Sequence, residues 1–165
     1  MKKTIKLNNF FLKGLIILSL ILTTYLIPFK ASAEISQTEI NGELINASSE
    51  FLRDLDYETW QLVAYNSPDE ENKLILRIIG YPGSLRLDHP LDLNVESGRK
   101  KWLLKDITLE NDKLVNDNRQ AAAEFDLESL IENISKNRPL RLSLPGVFSE
   151  LPVPPFLVKE WRSID

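Results

Sequence analysis

Asp88-His89 is the one place in this 165-residue chain where an acid adjoins the single histidine, and Ser84 lies four positions earlier. A serine hydrolase needs an acid to hold the imidazole while the imidazole takes the hydroxyl proton. Neighbours on an extended strand point to opposite faces, so Asp88 cannot orient His89 from there. Ser84 also closes the sequence Tyr81-Pro82-Gly83-Ser84, where Pro and Gly favour a type II turn rather than a strand-to-helix elbow. The residues read instead as a turn shaped by Asp88 and Pro90, with His89 hydrogen-bonded locally. No catalytic residue is assigned, and the expectation is a non-enzymatic protein.

Asp54, Asp56 and Glu58 have the spacing of the first ligands of a calcium loop, but Thr59 stands where such a loop needs Gly and Tyr65 where it needs Glu. The oxygen-rich run Glu110, Asn111, Asp112, Asn116, Asp117 and Asn118 reads as a solvated loop, because calcium needs six to eight oxygens to converge. No metal and no cofactor is expected. Trp60, Trp102 and Trp161 sit in apolar or alternating segments and read as core, not as stacking platforms for a sugar or pigment. Arg99, Lys100, Lys101 and Lys105 form the one basic cluster of the chain beyond its first thirty-three residues. They would serve either as a charged sheet edge or as a docking patch for an acidic protein surface. Pro152-Val153-Pro154-Pro155 reads as a rigid lead into the last element.

The chain has no cysteine, which excludes disulfides, thiol chemistry, thiolate metal sites and a lipoprotein anchor. Lys2, Lys3, Lys6 and Lys13 precede an uncharged run from Leu15 to Phe29, and Ala31-Ser32-Ala33 follows. That run is short of the roughly 20 residues a spanning helix needs, and small residues at Ala31 and Ala33 suit a signal peptidase. Residues 1–33 are therefore read as a signal peptide cleaved after Ala33. Five of the twenty basic residues leave with it and none of the twenty-four acids, so the remainder carries −9 rather than −4. A field of that sign disfavours nucleic acid and anionic lipid.

The elements that must position these residues follow from periodicity. Residues 34–46 are polar without clear alternation and read as a flexible N-terminal arm; 47–165 read as a single β-rich domain. Trp60, Leu62 and Ala64 alternate with Gln61, Val63 and Tyr65, after a turn at Asp54–Tyr57, which predicts a hairpin. Leu74 to Ile79 is apolar on both faces. Further strands are expected at 84–88, 92–96, 101–107, 121–125, 140–144 and 156–164, with a surface loop at 109–119. Leu127, Leu130, Ile131 and Ile134 form one helical stripe, so a helix is placed at 126–137, capped by Asp126 and stopped by Pro139. The fold class is α+β, predominantly antiparallel, as a curled sheet or barrel of eight or nine short strands with one amphipathic helix.

Several strings in this order carry a resemblance: Phe51-Leu52-Arg53-Asp54, Trp60-Gln61, Leu76-Arg77-Ile78-Ile79-Gly80-Tyr81-Pro82-Gly83, Asp88-His89-Pro90, Phe125-Asp126-Leu127, Pro139 to Pro145, and Val153 to Trp161. Over residues 50–162 the chain resembles the cyanobacterial family known as domain of unknown function 3122. The resemblance implies a cyanobacterial source, hence export to the periplasm or thylakoid lumen. It supplies no reaction and no catalytic residues. The expected role is an accessory or assembly factor with a protein partner at an extracytoplasmic or photosynthetic-membrane complex. The alternative is a module that binds an apolar ligand or pigment under the helix.

Overall fold

The computed structural model describes residues 35–40, 42–68, 73–81, 89–117 and 121–164. In chain order the strands are β1 (Ser36–Ile40), β2 (Glu43–Arg53), β3 (Thr59–Asn66), β4 (Leu74–Ile79), β5 (Leu93–Ser97), β6 (Lys100–Leu104), β7 (Ala122–Asp126), β8 (Leu140–Leu144) and β9 (Phe148–Val153). The helices are α1 (Asp112–Val115), α2 (Glu128–Asn133) and α3 (Pro155–Trp161), and Thr108–Glu110 is a 3₁₀ turn. All strand pairs are antiparallel, in a five-stranded sheet of order β1-β2-β3-β4-β7 and a four-stranded sheet of order β6-β5-β8-β9. The expected mostly antiparallel α+β class holds, with two sheets rather than one closed barrel.

The alternation of β3 sets the first sheet. Trp60, Leu62 and Ala64 face the second sheet and join the main core with Leu76, Ile78, Ala123 and Phe125. Leu93, Val95, Leu140, Leu142 and Leu151 answer from the second sheet. The Trp60 and Phe148 rings meet across the gap at 5.0 Å between centroids, tilted by 59°. On the other face of the first sheet, Ile40, Ala47, Val63, Tyr65, Ile75 and Ile107 make a smaller apolar cluster. This explains why β4 is apolar on both sides: it separates two cores.

The sheets are also tied through the backbone. Leu55 N–H donates to Glu150 O at 3.2 Å, between the β2–β3 turn and β9. At the other end the chain leaves β6 and crosses to the first sheet, where Asp106 bridges Phe125. Ile107 N–H then donates to Glu124 O at 2.9 Å, and Asp126 N–H to Lys105 O at 3.1 Å.

Three expectations are corrected. The arm expected over 34–46 is, from residue 36, strand β1 and the start of β2, paired from Ser36↔Ala47 to Ile40↔Glu43 around a turn where Gly42 has φ 93°. Its periodicity was hidden because β1 is an edge strand whose only buried residue is Ile40. The final segment is helix, not strand: Pro155 occupies the first turn, where its fixed φ suits a helix. Leu157, Val158 and Trp161 then fall on one buried face. The helix expected at 126–137 is confined to Glu128–Asn133 because Ile134 is already extended at φ −92°, ψ 111°. Asp126 does accept the Glu128 N–H at 3.0 Å. The polar stretch from 109 includes the end of the 3₁₀ turn and all of α1, and the strand expected at 84–88 lies outside the described residues.

Gly80 lies against the ring of Trp60, and a β-carbon there would stand 2.8 Å from its nearest ring atom. Gly80→Ala should therefore lower stability by about 1–3 kcal/mol, read as a reduced urea midpoint with unchanged m-value.

Candidate functional site

Asp54 shows how the first candidate acids are used. It is buried, and its Oδ1 accepts the N–H groups of Asp56 and Glu58, each at 2.9 Å. Its Oδ2 accepts the Trp60 indole N–H at 2.9 Å. The carboxylate thus closes the β2–β3 turn on itself and fixes the core tryptophan behind it. Tyr57 within this turn adopts φ 67°, a left-handed conformation that costs a side-chain-bearing residue about 1–2 kcal/mol. The turn presents Leu55 at 58% and Tyr57 at 80% exposure, and Phe51 at the end of β2 at 64%.

A second polar system lies between the first sheet and the segment that crosses to it. Arg77 and Glu124 sit opposite each other on β4 and β7. Their side chains meet at 2.6 Å and 2.7 Å, with Glu124 only 3% exposed. Glu124 also accepts the Tyr65 hydroxyl and, at 3.0 Å, the Asn111 amide. The Arg77 guanidinium lies 5.3 Å from the Tyr65 ring centroid. Burial first, and the adjacent Glu124 charge second, push the Tyr65 phenol well above its usual range. Tyr65 stays protonated as a donor.

The neighbouring acid is Asp106. It accepts from His89 Nδ1 at 2.7 Å, Leu91 N–H at 2.8 Å, Thr108 N–H at 2.9 Å and the Thr108 hydroxyl at 2.5 Å. Its own N–H donates to Asp92 at 3.0 Å. Thr108 Oγ1 in turn accepts the Glu124 N–H at 2.9 Å, so the two acids belong to one network. Burial works to raise the Asp106 pKa, but the hydrogen bonds from Thr108, His89 and Leu91 outweigh it and hold the carboxyl below its ordinary 3.8. His89 is therefore oriented by Asp106, seventeen residues away in sequence; Ser84 and Asp88 lie outside the described residues. An acid on Nδ1 is the arrangement of a catalytic dyad, but here that acid also holds Leu91 and Thr108 in place.

The oxygen-rich run is likewise spent on structure. Asn111 Oδ1 caps α1 by accepting the Lys113 and Leu114 N–H groups, and Asn116 donates to Asp112 O at 2.6 Å. Glu110 pairs with Lys73 at 2.9 Å and Lys105 at 3.2 Å, and these cations lower its pKa. Asn118 lies outside the described residues, and among the described residues no group of acids and histidine could hold a metal. Tyr65, Glu124, Lys73, Glu110, Asp112 and Lys113 line an open polar cleft of about 360 Å³ above the network.

The basic cluster divides. Lys101 lies on the outer face of β6 and pairs with Glu96 at 2.5 Å, and Lys105 is bound to Glu110. Lys100 falls on the opposite face with Trp102, and Arg99 sits in the β5–β6 turn. Trp60 and Trp161 are buried at 1% and 0%, while Trp102 is partly exposed at the core margin. The Trp161 indole N–H has no hydrogen-bond partner among the described residues.

The family model described as "Protein of unknown function (DUF3122)" matches residues 33–164. The chain belongs to this family. No curated protein and no solved structure matches it. Four residues central to the site, Tyr65, Arg77, Asp106 and Glu124, escaped sequence reasoning. One signal was present: Arg77 interrupts a strand otherwise apolar on both faces, and a buried cation calls for a buried acid.

Two consequences are measurable. Arg77→Met leaves Glu124 buried without its countercharge and should cost about 3–5 kcal/mol in urea denaturation. Because the folded state lowers the Asp106 pKa, its contribution is full above its ordinary 3.8 and is lost as pH falls through the folded value. The stability gap between wild type and Asp106→Asn should therefore narrow as the pH falls below about 4.

Proposed function

We propose that this protein is an exported, non-enzymatic domain that acts as an accessory or assembly factor at an extracytoplasmic or photosynthetic-membrane complex, in the periplasm or thylakoid lumen of a cyanobacterium. It meets its protein partner through the β2–β3 turn. One observation carries the reading: a turn clamped by a buried carboxylate holds Tyr57 in a costly backbone conformation and displays Leu55 and Tyr57 to solvent. A rigid aromatic side chain loses little conformational freedom on binding, which is why such residues anchor interfaces. Backbone strain kept at an exposed position points to a use outside the fold.

Further support comes from the committed state of the chemical groups. Asp54, Asp106 and Glu124 each accept at least three hydrogen bonds that hold the fold. The side chains between the sheets, Trp60, Phe125 and Trp161 among them, occupy the position an apolar ligand or pigment would need. The N-terminal charge and hydropathy pattern supports export, with processing after Ala33.

The test uses tagged protein expressed at native level and purified from membrane and soluble fractions. The mature N-terminus should read Glu34; retention of Met1 in cytosolic material would end the export reading. Tyr57→Gly relieves the backbone strain and should gain up to about 1 kcal/mol of stability, yet lose the co-purifying partner. Unchanged partner recovery with Tyr57→Gly and Leu55→Ser combined would discard this surface.

A further inference from the structure

We propose that the cleft between the start of β6 and the loop after α2 is a binding site for a small oxyanion of the phosphate type. Its volume is about 140 Å³, and eight residues line it, none of them acidic. Three are cations that the fold brings together from separate segments: Lys100 from β6, and Lys136 and Arg138 from the loop. Strand alternation places Lys100 on this side, away from Lys101. Among the described residues none of the three cations has an ion-pair partner, whereas Lys101, Lys105 and Arg141 nearby on the outer surface have acids within 4 Å.

The lining has three cations and no acid to balance them. Three like charges around one hollow repel each other, and concave walls strengthen the field inside. The α2 helix does not account for them, since its last turn carries no basic residue. A tetrahedral oxyanion would offset the repulsion and accept charge-assisted hydrogen bonds from two ammonium groups and one guanidinium. The Ser135 hydroxyl, also in the lining, offers a further donor. The size selects the ligand class: a whole metabolite needs roughly 300 Å³ or more, so the cleft takes a single anionic group. That group is either a free ion or the phosphodiester of a lipid headgroup. Trp102 forms part of the wall and reports on occupancy.

The test titrates the purified protein with inorganic phosphate and, separately, with phosphatidylglycerol vesicles. Tryptophan fluorescence is followed, with Trp102→Phe identifying the signal, and NaCl at matched ionic strength is the reference. Phosphate should give a saturable change at millimolar concentration or below, absent with NaCl. Lys136→Gln combined with Arg138→Gln should weaken it about tenfold or more, while Lys101→Gln, on the other face, should leave it unchanged. A response to vesicles alone, with the same variant pattern, assigns the site to a headgroup. No saturable response to either probe up to about 50 mM phosphate, or equal weakening by Lys101→Gln, overturns the site.

Discussion

The architecture depends on what happens at Asp106, where the chain passes from one sheet to the other. β6 ends as the edge of the four-stranded sheet, and two residues later the same chain is hydrogen-bonded to β7 of the five-stranded sheet. A crossing of this kind leaves backbone groups without a ladder partner, and burial makes such groups expensive. The Asp106 carboxylate supplies the missing acceptors for Leu91 and Thr108, and Asp92 accepts the Asp106 N–H in return. Thr108 passes the connection on to Glu124. One acid therefore holds the segment that joins the two sheets, and the orientation of His89 follows from it.

The two faces of the first sheet solve different problems. Toward the second sheet the contacts are apolar, tolerant in chemistry but demanding in shape, as the Gly80–Trp60 contact illustrates. On the outer face the Arg77–Glu124–Tyr65 system is demanding in chemistry, because each largely buried member is satisfied by another. Asp54 repeats that logic at the far end of β2. Buried acids here serve mostly as joints between elements.

Much of this was legible in the sequence. The β3 alternation, the doubly apolar β4 and the turn at Asp54 followed from period-two patterns that packing then used, whereas the alanines that open β7 gave only a faint strand signal. The failures have separate physical causes. The β1 strand buries one side chain, so it left no hydrophobic period to read. The last helix is only seven residues long, and its Phe, Leu, Val and Trp content is equally at home in a strand. The acid that orients His89 could not be found because pairing across a crossover obeys tertiary geometry and no local spacing. The basic cluster looked continuous along the chain, and alternation distributed it over two faces.

The register of the second sheet has a bearing on how the chain is made. β5 pairs with β8, joining Asn94–Glu96 to Arg141–Ser143, and the interior is finished by α3, which ends at Trp161. A chain emerging amino end first would offer the oily side of β3 and β4 to its surroundings until β8, β9 and α3 had followed. Pairings so distant along the chain also form slowly. Such a chain is most vulnerable while it is being made, before α3 is in place to cover the apolar faces already formed.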